Sequence, residues 1–259
     1  MNVPIRTINA GGRLIDLNQP KVMEIVNLTP DSFYQHGMKP HLTGDLIDVG
    51  GCSTRPGSEP VTEDEEWRRL EEGLNVIRGE YPDAVISVDT FRPAIARQCI
   101  ERFGVQIIND VSGGSDAMFH TVAECRVPYV LTFNQPVDES DDITAAALRF
   151  FSQRVQALCD LGQNDIILDP GFGFNKTLSQ NFRLLAQMEH LQLLERPVLV
   201  GVSHKRMIYQ TLGTSPSEAL NGTTVLNTIA LTKGANILRV HEVNEARECV
   251  RLTGAMHVG

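Results

Sequence analysis

Eight short apolar runs recur along this chain, most of them ending in a polar or glycine-rich segment, and that recurrence restricts the fold more than any other feature. The runs are Val22–Val26, Leu46–Val49, Ala84–Val88, Val105–Ile108, Val127–Leu131, Ile166–Leu168, Pro197–Val202 and Ala235–Leu238. Each reads as a strand buried on both faces, as parallel strands are. Helical patterns lie between most of them. Glu63–Arg78 follows a Thr62 N-cap and has an acidic first turn, and Pro93–Phe103 opens on proline. Ile143–Leu161, Leu178–Leu194, Asn221–Lys233 and Asn244–Leu252 complete the set. Strands alternating with helices give a parallel α/β architecture, and eight is the number that closes a (β/α)8 barrel.

Two segments modify that plan. Ile5–Ala10, Gly11-Gly12 and Arg13–Leu17 read as an N-terminal β-hairpin that can plug the lower mouth of the barrel. Only eighteen residues separate Asn27 from Leu46, and they carry Pro30, Gly37, Pro40 and Gly44. A parallel crossover usually needs a helix, so the first crossover helix is expected to be truncated or missing. With no linker, repeat or low-complexity tract, residues 1–259 read as one domain, the hairpin occupying residues 1–18.

The net charge of −9 argues against nucleic acid or an anionic membrane as partner, so an anionic ligand needs a local basic cluster. Five widely spaced cysteines show no metal-ligand pairing, and the N-terminus lacks the plan of a signal peptide. Together these place the chain in a reducing cytoplasm. No apolar run is long enough to cross a bilayer.

In a parallel barrel the site forms at the C-terminal ends of the strands. The segment Asp48-Val-Gly-Gly-Cys-Ser-Thr-Arg-Pro-Gly57 offers backbone N–H groups, hydroxyls and one guanidinium, the chemistry of an anion seat. Asn27, before Leu-Thr-Pro-Asp-Ser32, is either a hard oxygen donor for Mg²⁺ or part of a turn. Asp89 is either a carboxylate for a heterocycle rich in N–H groups or a helix cap ahead of Pro93. Asn109 offers a donor and an acceptor together, or a turn with Gly113-Gly114. Asp169 is a second carboxylate in an equally apolar setting, followed by Phe172 and Phe174, either of which can stack on a flat ring or pack in the loop. Ser203-His-Lys-Arg206 puts Lys205 in a basic patch or in a solvated charge run. Arg239 and His241 share one face if the backbone is extended, and with Thr54 and Arg55 they make a diphosphate clamp. Jointly these strand ends predict one site for a flat polar heterocycle and an anion.

The residues resemble dihydropteroate synthase. The matching pieces are Asn27-Leu-Thr-Pro-Asp-Ser-Phe33, Ile47-Asp-Val-Gly-Gly-Cys-Ser-Thr-Arg-Pro-Gly57, Ser87-Val-Asp-Thr90, Ile107-Ile-Asn-Asp-Val-Ser-Gly-Gly114, Leu168-Asp-Pro-Gly-Phe-Gly-Phe174, Val200-Gly-Val-Ser-His-Lys205 and Arg239-Val-His241, in family order over nearly the whole chain. The resemblance implies a TIM barrel, a homodimer, and the joining of p-aminobenzoate to (7,8-dihydropterin-6-yl)methyl diphosphate, with loss of diphosphate, in folate biosynthesis. It implies that Asp89, Asn109, Asp169 and Lys205 hold the pterin, with Phe174 beside it. It places Mg²⁺ at Asn27 and the diphosphate at Thr54, Arg55, Arg239 and His241, in an SN1-like displacement without a nucleophilic side chain. Several positions depart from the family pattern. Thr132-Phe133-Asn134 stands where Met-His-Met is usual, Glu24 and Asn175 stand at glycine positions, and His204 and Arg206 flank the lysine. The alternatives are a catalytically impaired pterin-binding paralogue and a methyltetrahydrofolate-dependent methyltransferase, the latter having no need of a diphosphate clamp.

Overall fold

The computed structural model describes residues 7–28, 41–52 and 61–256. Eight parallel strands form one sheet: β3 (Lys21–Asn27), β4 (Leu46–Gly50), β5 (Ile86–Asp89), β6 (Ile107–Asp110), β7 (Tyr129–Thr132), β8 (Ile166–Asp169), β9 (Leu199–Val200) and β10 (Ile237–Val240). Their spatial order is β8-β7-β6-β5-β4-β3-β10-β9. The ends meet through a parallel bridge between Leu168 and Val198, where the Leu168 N–H donates to the Pro197 carbonyl at 2.8 Å. This is the expected (β/α)8 TIM barrel, entered through an antiparallel hairpin of β1 (Thr7–Ala10) and β2 (Arg13–Asp16).

The connecting helices are α1 (Glu63–Glu80), α2 (Pro93–Phe103), α3 (Asp116–Cys125), α4 (Ile143–Asp160), α5 (Leu178–Ala186), α6 (Arg206–Leu212), α7 (Leu220–Thr232) and α8 (Val243–Ala255). The expected run Leu178–Leu194 divides at Gln187 into α5 and a 3-10 segment, Met188–Leu194. Two helices, α3 and α6, escape sequence periodicity because they are short. Helix α3 is set instead by its Ser115 cap, whose side chain accepts from the Met118 N–H.

Period-two alternation splits each strand between two cores. Outward residues, among them Val22, Ile47, Val88, Ile108, Leu131, Leu168, Val200 and Leu238, pack under the helices. Inward residues Met23, Leu46, Val85, Ile107, Val130, Ile167, Leu199 and Ile237 form the bottom layer, joined by Ile8, Ala10, Ile15 and Leu17 of the hairpin region. The hairpin therefore plugs the lower mouth, as its position implied. Two residues further along, six of the eight inward positions become Asp48, Ser87, Asn109, Thr132, Asp169 and Arg239, the other two being Ile25 and Gly201, so strand geometry stacks a largely polar layer on an apolar floor.

Most of the first crossover, residues 29–40, lies outside the described residues, so the truncated helix is untested there. Of its described part, Leu28 and residues 41–45 are not helical. That end is held by Glu24, whose carboxylate accepts from the Thr43 and Gly44 N–H groups at 2.8 Å each. Arg247 of α8 donates to the Thr43 carbonyl, and Leu42 N–H to the Tyr81 hydroxyl at 3.2 Å. A glycine at position 24 would leave both amides without this acceptor.

Candidate active site

The polar layer of the barrel is organised around Arg239. Its Nε donates to Asp48 Oδ2 at 2.6 Å and its Nη2 to Asp89 Oδ2 at 2.8 Å. Asn109 Nδ2 donates to the same Asp48 oxygen at 2.9 Å. The register explains the meeting: Gly50 pairs with Asp89, and Asp89 with Asn109. Asp48 is fully buried and the Arg239 side chain is 16% exposed. Burial pushes the Asp89 carboxyl up to about 7, with Arg239 opposing and Asp48 reinforcing the shift. The neighbouring carboxylates hold the Arg239 guanidinium well above its ordinary value, against the effect of burial.

Asp169 lies across the barrel, in register with Thr132, and its Oδ1 accepts from the Gly171 N–H at 2.8 Å. Burial raises its pKa, opposed chiefly by Lys205. Lys205 donates to the Phe172 carbonyl and sits 4.5 Å from the centre of the Phe174 ring. Burial lowers its pKa to about 8, opposed by Asp169. Of the two candidate stacking rings, Phe172 is wholly inside the outer core, which leaves Phe174 at the site. His241 joins Ser203 through a 2.9 Å hydrogen bond between Nδ1 and Oγ. His204, in left-handed backbone at φ 51°, pairs its Nε2 with Glu242 Oε1 at 2.8 Å. The structure therefore brings Asp89, Asn109, Asp169, Phe174, Lys205, Arg239 and His241 to the C-terminal mouth. Asn27 ends β3 opposite Gly50. Thr54 and Arg55 lie outside the described residues.

Three groups were missed in the sequence. Asp48 opens the anion-seat segment without a role of its own there, although its inward register two places beyond Leu46 marks it. Lys176 is the second. Its Nζ donates to the carbonyls of Phe133, Gly171 and Phe174 at 2.6, 3.0 and 3.2 Å, tying the loops after β7 and β8 together. Burial lowers its pKa to about 7. The third is buried Glu66, which accepts from the Thr90 hydroxyl at 2.7 Å and pairs with Arg92 beside the Asp89 strand end. Asn175, at φ 44°, donates to Asn134 Oδ1 at 2.9 Å. That bond explains how asparagine occupies a left-handed position suited to glycine.

Gly171 is different. At φ 67°, an added Cβ would run into the Phe133 carbonyl oxygen. Gly171→Ala should therefore lower stability by about 2–4 kcal/mol, read from the denaturant midpoint, because left-handed strain and a backbone clash combine.

A family profile described as pterin binding enzyme matches residues 23–241. The chain belongs to the pterin-binding enzyme family. The dihydropteroate synthase of Escherichia coli (strain K12) is 36% identical to it, over 95% of each chain. Among solved structures, the Xanthomonas albilineans dihydropteroate synthase with 4-aminobenzoic acid has a TM-score of 0.88 at 33% identity, covering 98% of both chains. The Clostridium difficile dihydropteroate synthase in the presence of pteroic acid has a TM-score of 0.85 at 30% identity, covering 93% of this chain and 98% of that one. Within the family the likeness is thus to dihydropteroate synthases along almost the full length.

Proposed function

We propose that this barrel condenses p-aminobenzoate with (7,8-dihydropterin-6-yl)methyl diphosphate, giving 7,8-dihydropteroate and diphosphate. The chain is a transferase of the dihydropteroate synthase type, in folate biosynthesis. The observation that carries the substrate assignment is a set of inward acceptors. Asp48 Oδ1, Asp89 Oδ1 and Asn109 Oδ1 are buried with no hydrogen-bond partner among the described residues. Each such group costs about 1–3 kcal/mol, and a pterin edge bearing several N–H donors offsets that cost. A methyltransferase reading has no use for the cations beside this pocket, and a non-catalytic reading is not favoured by relatives that carry the synthase name.

In the reaction the bond from the exocyclic methylene to the diphosphate oxygen breaks, its electron pair leaving with the diphosphate. The arylamine nitrogen then forms the new C–N bond and releases a proton. The protein's part is orientation and charge. Asp89, Asn109 and Asp169 accept from the pterin, while Phe174 and Lys205 cover one side of it. Arg239 and His241, with Thr54 and Arg55, hold the leaving diphosphate.

Asn27 supplies one hard oxygen suited to Mg²⁺. No group of three His, Cys, Asp or Glu residues among the described residues makes a metal cage, so the donor set suits an ion completed by diphosphate oxygens and water. Bound there, Mg²⁺ would supply charge to neutralise the departing diphosphate.

A homodimer is supported by exposed Val225 and Ile229 on α7, Leu252 on α8 and Met256 at the α8 C-cap, the two helices packing together. A cytoplasmic setting is supported by five free cysteines; among the described residues no helix is long and apolar enough to cross a membrane. Incubation of purified protein with Mg²⁺, p-aminobenzoate and the pterin diphosphate should release diphosphate in step with dihydropteroate. Pterin binding without release would overturn the synthase reading in favour of an impaired paralogue.

A further inference from the structure

We propose that Thr132 is a further ligand-contacting residue of this pocket, its hydroxyl donating a hydrogen bond to an acceptor atom of the bound heterocycle, a ring nitrogen or carbonyl oxygen. The inference rests on the pterin reading of the site. Thr132 is the last residue of β7 and is in register with Asp169 on β8. Tyr129 and Leu131 belong to the outer core and Val130 to the inner layer, so alternation turns Thr132 inward, on the same side as Asp169.

Its side chain is 0% exposed, and Oγ1 has no hydrogen-bond partner among the described residues. Of the other buried threonines, Thr144 on α4 also has an unpartnered hydroxyl, but two helical ones behave differently. Thr253 donates to the Cys249 carbonyl at 2.8 Å and Thr121 to the Ala117 carbonyl at 2.9 Å, each back along its own helix. A strand residue has no such carbonyl below it, since ladder pairing turns the carbonyls sideways. The Thr132 hydroxyl therefore has its hydrogen to give to whatever enters the barrel.

The donor inventory gives that hydrogen a use. The groups facing the ligand are mostly acceptors: the Asp48, Asp89 and Asp169 carboxylates and the Asn109 oxygen. Apart from the Ser87 hydroxyl on β5, which is also unpartnered, the donors are largely engaged. Arg239 is bonded to Asp48 and Asp89, Lys205 to the Phe172 carbonyl, and Asn109 Nδ2 to Asp48. A heterocycle with acceptors as well as N–H groups needs a donor on this wall, and Thr132 supplies it beside Asp169.

The test uses Thr132→Val, which exchanges the hydroxyl for a methyl group of the same size, and Thr132→Ser, which keeps the hydroxyl. Calorimetric titration with the pterin diphosphate should show Thr132→Val weaker by about tenfold and Thr132→Ser within about twofold of the wild type. Without ligand, the melting temperature of Thr132→Val should equal or exceed that of the wild type, because no internal bond is lost. Equal affinity of Thr132→Val and wild type would overturn this inference alone. So would a fall in ligand-free stability accompanying weaker binding, since the hydroxyl would then be structural. A wild-type chain that takes up no pterin diphosphate would instead overturn the reading of the site itself.

Discussion

Arg239→Ala is expected to lower folding stability by about 3–5 kcal/mol and to remove measurable affinity for the pterin diphosphate. The first effect follows from what surrounds the guanidinium. Asp48 is fully buried and Asp89 is 5% exposed, and both rest on this one cation. Removing one member of a buried ion pair leaves an uncompensated charge, the costly way to break such a pair. The second effect follows from the proposed clamp, since Nη1 has no bond to a described residue and is the nitrogen left for an anion. Arg239→Lys separates the two effects. Lysine keeps the charge but is a single point donor that cannot serve both carboxylates, so it should regain part of the stability and little of the diphosphate affinity. Urea unfolding and calorimetric titration read the two quantities. Unchanged substrate affinity in Arg239→Ala would show that the clamp lies elsewhere.

Asp89→Asn should weaken pterin binding by at least about a hundredfold, since a carboxylate aimed at N–H donors becomes a group that presents its own. The same change should alter the dependence of stability on pH, with a definite sign. Burial holds the folded carboxyl at about 7, against 3.8 for the free group. Between roughly pH 4 and 7 the unfolded chain has released this proton while the folded chain keeps it. The unfolded state then binds fewer protons, so the Asp89 contribution falls as pH rises through that window. Asparagine does not titrate, so the variant should lose less stability than the wild type between pH 4 and 7. Lys205 contributes elsewhere: its folded value of about 8, below the ordinary 10.5, makes its contribution rise with pH above about 8. Parallel stability curves for the two proteins across pH 4–7 would show that the Asp89 carboxyl is not held protonated by burial.

Much of the barrel was legible because its signals are local. An apolar run of three to six residues followed by a polar or glycine-rich segment marks a parallel strand and its C-terminal end, and all eight were found this way. Most of their limits were displaced in one direction, although the run Pro197–Val202 also passed the end of β9 at Val200, and Val22 began one residue late. Expected strands began early, at Ala84, Val105, Val127, Pro197 and Ala235, and stopped short of Asp89, Asp110, Thr132, Asp169 and Val240. The residues ahead of each ladder are buried but outside it, Val105, Val127 and Ala235 under the helices and Val85 on the barrel floor, whereas Asp89, Thr132 and Asp169 are still paired and point into the site. Short helices α3 and α6 left too little periodicity to read.

The residue types at the strand ends, and hence the chemistry of a pterin and a diphosphate, are written along the chain in order. Which of them touch is not. Arg239 reaches Asp48 across 191 positions and Asp89 across 150. Those contacts exist because the sheet lays β10 beside β3, β3 beside β4, and β4 beside β5. The linear pattern cannot say that an arginine assigned to an anion also neutralises two carboxylates, that Asp48 belongs to the site, or that the Thr132 hydroxyl turns inward beside Asp169. Strand identity is a property of neighbouring residues, whereas charge pairing depends on distances that only the closed ring of strands sets.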